Sequence, residues 1–289
     1  MTAPRLLVIQ TAADDPVGRL GDWLSAAGLH LDVLRPYEGA ALPADLSGCS
    51  GLLVLGGGMS ATDDAATPWL PEVRALLRDA VSREVPTLGV CLGAQLLATA
   101  AGGRVGPNPA GPEFGAQLIA KRAACAGDPL FGPVPITPDV IQWHFDEVHL
   151  LPPGAVLLAS SPGCDIQAFR LGRLAWGVQF HIETTPELVR AWAATDARHL
   201  EGYDVELLLS RSDAVHEDLA EVWQPFAAAF ADVLRDPAAV ALLRAVPTSS
   251  AEPITDAAAI RAALAEELSA SRGGPAVLPM PGLRQPGHD

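Results

Sequence analysis

The chain has 289 residues, is 49% hydrophobic and carries a formal net charge of −15. That length can bury a sizeable α/β core with an extension, and the acidic balance argues against nucleic acid as a direct partner, because phosphate binding needs clustered Lys and Arg. The sequence shows no apolar run of the roughly 18 residues that suggests a membrane span and no signal-peptide pattern at its start, and Cys49, Cys91, Cys125 and Cys164 form neither a C-x-x-C pair nor a disulfide framework. A free-thiol protein of a reducing, cytoplasmic compartment is expected.

Arg5–Gln10 is a continuous apolar run suited to a central parallel strand. Asp14–Ala27 reads as a helix with Gly28 as its C-cap, then Leu29–Leu34 and Gly51–Leu55 as strands. The second of these runs into Gly56-Gly57-Gly58, a turn that needs glycine freedom and lacks the Gly-Lys-Ser/Thr of a phosphate loop. Trp69–Ser82 has apolar residues at helical spacing. Strand and helix repeating in this way predict a doubly wound, mostly parallel sheet, flavodoxin-like, with its site at the carboxyl ends of the strands.

Thr87–Val90 is a short buried strand and Leu92–Ala101 a helix, with Cys91 at the joint between Gly89 and Gly93. G-x-C-x-G is the thiol counterpart of the G-x-S-x-G nucleophile elbow, in which flanking side chains would collide as strand and helix pack. The turn puts the sulfur at a helix N-terminus, where the dipole favours a thiolate. The Pro- and Gly-rich stretch from Gly106 to Gly115 reads as a loop. Gln117–Lys121, Gly154–Ser160, Asp165–Arg170 and Leu174–Gln179 read as strands. The last leads to His181-Ile182-Glu183, in which the histidine can hold the cysteine's proton and the glutamate can orient the histidine. Two residues apart along a strand, they would point the same way. His144 is a rival base, but between Trp143 and Phe145 it reads better as a packing or hydrogen-bonding residue. The remaining histidines have no motif context and read as surface or structural residues.

Four blocks carry a resemblance to the class I (triad) glutamine amidotransferases, in particular the glutaminase domain of GMP synthetase and its stand-alone relatives. They are Gly89 to Gln95 (G-x-C-x-G-x-Q), Gly177 to Glu183 (G-V-Q-F-H-x-E, with Ile182 where the family has proline), Leu52 to Ser60, and Trp143 to Val148. The blocks stand in family order within residues 5–195. The resemblance implies Cys91, His181 and Glu183 as catalytic residues, and the backbone amides of Gly57 and Leu92 as the oxyanion hole. It implies Gly58, Gln95, His144 and Phe145 as substrate-binding residues, with the segment at His144 acting mainly through its backbone. The implied chemistry is attack on a glutamine side-chain amide through a γ-glutamyl thioester, with no metal or organic cofactor.

Beyond residue 196 the resemblance fades. Pro186 starts a helix capped by Thr185, and Val205–Leu209 and Glu217–Leu234 read as two amphipathic helices. Ala257–Ser269 reads as a further helix after a linker, and 271–289 as a Gly- and Pro-rich disordered tail. The expected organisation is an amidotransferase domain over 1–196, a helical extension over 197–245, and a linker, short helix and tail over 246–289. No synthetase domain is recognisable, so an acceptor-activating enzyme would be a separate chain. Three functions follow: a glutaminase feeding ammonia to such a partner, a partner-free hydrolase of γ-glutamyl amines or peptides, and a non-catalytic regulatory module. Oligomeric state, pathway and acceptor are not written in the sequence.

Overall fold

The computed structural model describes residues 3–241. The expected helix at 257–269 and the linker and tail around it lie outside the described residues. The elements run β1 (Arg5–Ile9), α1 (Gly18–Ala26), β2 (His30–Leu34), β3 (Gly51–Val54), α2 (Leu70–Ser82), β4 (Thr87–Val90), α3 (Leu92–Ala100), β5 (Arg104–Pro107), β6 (Glu113–Leu118), β7 (Ala120–Lys121), β8 (Asp139–His144), β9 (Asp146–Leu150), β10 (Ala155–Ser160), β11 (Ala168–Leu171), β12 (Ala175–Val178), α4 (Pro186–Thr195), α5 (Val205–Arg235) and α6 (Pro237–Ala241).

The main sheet has eight strands in the order β2-β1-β3-β4-β12-β11-β10-β7. The run from β2 to β12 is parallel and the rest antiparallel. Side chains alternate between its faces, as the two-residue period of a strand requires. Leu6, Val8, Leu53, Leu88, Val90, Trp176 and Val178 pack on one face with Leu20, Leu24, Trp192, Trp223 and Phe230 from α1, α4 and α5. Leu7, Ile9, Leu52, Val54 and Ala175 pack on the other with Leu70, Leu77, Leu96 and Leu97 from α2 and α3. The sheet is therefore covered on both sides, which explains why its central strands read as unbroken apolar runs.

Four local expectations are corrected. The first helix begins at Gly18 rather than Asp14, because Pro16 disfavours helical backbone at Asp15. The stretch after α3 is not simply a loop: β5 pairs with β9 and β6 with β8 in two small sheets. Residues 205–209 and 217–234 belong to one helix of 31 residues. Its middle is polar in sequence, yet Ser212 and His216 lie on the buried face. Ser212 Oγ donates to Leu208 O at 2.8 Å, and His216 bridges Ser212 O at 2.5 Å and Thr184 Oγ1 at 3.1 Å. Pro225 within the helix is exposed, so the carbonyl it leaves unpaired can be hydrated. Finally, β12 stops at Val178, short of His181 and Glu183.

Candidate active site

Cys91 follows β4 and immediately precedes α3, with φ 50° and ψ −108°. This is a left-handed conformation that a non-glycine residue holds only when its surroundings enforce it. The enforcement is visible. Cys91 N–H donates to Val178 O at 2.8 Å, and Gly89 and Gly93 touch so closely that a β-carbon on Gly89 would lie 2.5 Å from Gly93 C and O. The expected elbow is present, and Cys91, buried at 5% exposure, lines a cleft of about 450 Å³.

His181 reaches the same cleft without being part of a regular strand. It forms an isolated bridge with Ile141 of β8, with N–H donating to Ile141 O at 2.8 Å. Its Nδ1 lies 2.5 Å from Glu183 Oε1. Its Nε2 is buried without a hydrogen bond of ordinary length, and the Cys91 sulfur is its neighbour. Burial alone would push the imidazole pKa down; the Glu183 carboxylate and the Cys91 sulfur outweigh it and hold the pKa well above the usual histidine value. Both His181 and Glu183 are about 1% exposed. Ile182, where the family pattern has proline, donates its backbone N–H to Glu183 Oε2 at 2.9 Å. A proline could not make that bond.

Gly57 and Leu92 come together: a β-carbon on Gly57 would lie 3.0 Å from Leu92 Cδ2, whereas one on Gly58 would meet nothing within 4 Å. Gly57, Gly58, Gln95, His144 and Phe145 all line the cleft. Gln95 directs its amide hydrogens inward, to Asp146 O at 2.9 Å and Gln179 Oε1 at 3.1 Å. His144 turns its ring away into a buried network, to Asp146 O at 3.0 Å and Glu113 Oε2 at 2.9 Å. Glu113 Oε2 also accepts from Gln167 at 2.9 Å.

Glu113, His144 and Cys164 offer donor atoms within 4.8 Å of one another, the spacing of a metal ligand set. Both ring nitrogens of His144 are engaged, and burial together with Glu147 and Glu113 holds the Cys164 thiol well above the usual cysteine range. His144 and Glu113 are thus joined directly, in a hydrogen-bond network behind the segment 143–146.

Sequence reasoning missed Gln179 and Asp15. Gln179 Nε2 lies 3.6 Å from Cys91 Sγ; it stands in the same block as His181, and that position was the available signal. Asp15 lines the cleft with its carboxyl pushed up to about 7, chiefly by burial and then by neighbouring carboxylates against the pull of His181. Nothing in the local pattern at Asp15 pointed there.

A family model for glutamine amidotransferase class-I matches residues 20–191. The chain belongs to the class I glutamine amidotransferase family. Members of this family are generally glutamine-hydrolysing. The chain is 33% identical over 171 residues to the putative glutamine amidotransferase-like protein YfeJ of Salmonella typhimurium, covering 58% of this chain and 70% of that one. It is 35% identical over 167 residues to a glutamine-hydrolysing GMP synthase subunit of Halobacterium salinarum, covering 53% and 82%. Among solved structures, a glutamine amido transferase from Methylobacillus flagellatus superposes with a TM-score of 0.71 at 32% identity, covering 81% of this chain and 95% of that one. The superposition takes in a larger share of the chain than the family model does. Among the described residues no helix is long and apolar enough to cross a membrane.

Proposed function

We propose that this chain hydrolyses the side-chain amide of glutamine through a Cys91–His181–Glu183 triad. The observation that carries the reading is His181: held by Glu183 on one side, unpartnered on the other, and set beside a cysteine on a strained elbow. The Cys91 thiolate attacks the γ-carbonyl carbon. The developing oxyanion is met by the Gly57 and Leu92 amides. Protonated His181 gives its proton to the departing nitrogen as the C–N bond breaks. Water, deprotonated by His181, then cleaves the γ-glutamyl thioester to glutamate and restores the thiol. In this reading Gly58, Gln95 and the backbone from His144 to Phe145 hold the glutamyl group, with residues 1–196 as the catalytic domain and 197–245 as an extension on it.

The relative in Halobacterium salinarum is named as one part of a synthase with separate chains, which supports a separate acceptor enzyme receiving the ammonia here. The intact triad argues against a non-catalytic module. The decisive test is ammonia release from L-glutamine by the purified chain, with Cys91→Ala as control. Release that persists in Cys91→Ala overturns the triad reading.

A further inference from the structure

Two successive residues at the end of β12 bracket Cys91. Val178 O accepts the Cys91 N–H at 2.8 Å and fixes the backbone of the elbow. Gln179, the next residue, turns its side chain back to the sulfur, with Nε2 3.6 Å from Cys91 Sγ. Its own backbone N–H donates to Gln167 O at 2.8 Å, just ahead of β11. Gln179 is buried, so water does not replace whichever group it offers the sulfur. Outside the triad, the sulfur also lies 3.9 Å from Trp143 O, a carbonyl that can only accept.

Which end of the Gln179 amide faces the sulfur is decided by another carbonyl. Asp146 O can only accept, and it receives Gln95 Nε2 at 2.9 Å and His144 Nδ1 at 3.0 Å. Gln95 therefore presents its NH2 group on that side. The second hydrogen of the same nitrogen reaches Gln179 Oε1 at 3.1 Å. A Gln179 amide turned the other way would set two NH2 groups against each other. The oxygen is thus committed to Gln95, and the NH2 group to Cys91.

We propose that Gln179 is a further catalytic residue, donating an N–H to the Cys91 sulfur and holding part of its negative charge, with Gln95 as the positioning residue that keeps this donor turned inward. This rests on the triad reading above. A hydrogen bond to a charged acceptor is stronger than one to a neutral acceptor, so the contact tightens as the thiol gives its proton to His181. His181 takes the proton and Gln179 holds the charge left behind. The same N–H meets the sulfur again when the thioester breaks and the electron pair returns to it.

The test reads the sulfur apart from substrate. Iodoacetamide alkylates a thiolate by displacement of iodide and needs no glutamyl contact. Site-resolved mass spectrometry follows Cys91 in the full chain, with the half-buried Cys49, at the opposite end of β3, as internal standard. Gln179→Glu keeps an oxygen for Gln95 Nε2 and loses the donor to the sulfur. The expected result is Cys91 alkylation about 10-fold slower than in the wild type, the scale of one charge-assisted hydrogen bond, with Cys49 unchanged. The side chain of Gln95 bonds Asp146 and Gln179 rather than the sulfur. Gln95→Met releases the Gln179 amide and is expected to slow Cys91 by about threefold, the scale of a neutral hydrogen bond; a residue serving substrate alone would leave that rate untouched. Cys91 alkylated at the wild-type rate in Gln179→Glu overturns the proposal. If Gln179→Glu does not fold, a wild-type rate in Gln95→Met does so. Ammonia release from glutamine separates the two readings. Slowed alkylation in Gln179→Glu, in a protein whose wild type shows no Cys91-dependent release, upholds the contact and removes the triad reading; unslowed alkylation beside Cys91-dependent release removes the contact and leaves the triad standing.

Discussion

Gly93 stands against the carbonyl of Val54 so closely that a β-carbon on it would lie 2.0 Å from that oxygen and 2.7 Å from its carbon. The first turn of α3 is thereby pressed onto the end of β3, and this contact fixes the height of Cys91 above the sheet. Neither backbone can retreat, because β3 is hydrogen-bonded on both sides within the sheet.

Gly93→Ala is expected to cost about 3 kcal/mol or more, since the clash is with backbone rather than with a movable side chain. Denaturant unfolding measures it. A loss under about 1 kcal/mol would mean that the elbow can shift, and with it the position of the sulfur.

Removing the thiol should be felt by its neighbour. The Cys91 sulfur and Glu183 together raise the pKa of His181 against burial, so Cys91→Ala is expected to lower it while leaving the fold intact. The titration of the His181 ring protons by NMR reads this directly. An unchanged or higher value would show that the sulfur exerts no field on the ring.

Asp15 opposes the usual behaviour of a surface acid. Its carboxyl is raised from 3.8 to about 7, first by burial, so the folded state holds its proton more tightly than the unfolded state. The associated stability is present below about pH 4 and is lost as pH rises through 7. Asp15→Asn is therefore expected to be more stable than the wild type at pH 8, by about 1–3 kcal/mol, with the gain vanishing toward pH 4. Unfolding curves at the two pH values test it; a less stable variant at pH 8 would contradict the account.

His216 has the opposite sign. Burial, outweighing the raising effect of Ser212 O, holds its pKa below 6.5. Its neutral form bridges α5 to Thr184. The stability it contributes is present above pH 6.5 and is lost as pH falls through its lower folded value. In an Asp15→Asn background, which removes the opposing titration nearest this pH range, acidification from pH 6.5 to 5 should destabilise the protein. Adding His216→Gln should shrink that loss. An equal loss with and without His216 would place the acid sensitivity elsewhere.

The parallel half of the sheet was legible because central strands between two helical layers are apolar throughout, as Leu6–Ile9 and Leu52–Val54 are. The elbow was legible because sterics demand glycine at both Gly89 and Gly93. The strands β5, β8 and β9 were not, since they pair only in twos and carry Gly106, Pro107 and several polar residues. The continuity of α5 was hidden by Ser212 and His216, whose polar groups are satisfied by contacts that no local pattern encodes. Gln179 and Asp15 escaped for a related reason: each matters through neighbours far along the chain, Cys91 for one and His181 for the other.

The pairing of β4 with β12 sets residues 87–90 beside residues 175–178, and Cys91 is anchored by Val178 O. On a growing polypeptide, Cys91 emerges long before the strand that lies next to β4 and the histidine beyond it. Until that late strand inserts between β4 and β11, the edge of β4 is open and the backbone bond that anchors Cys91 is unmade. The elbow is thus completed by a contact between segments far apart in sequence, as expected for a topology rich in distant contacts.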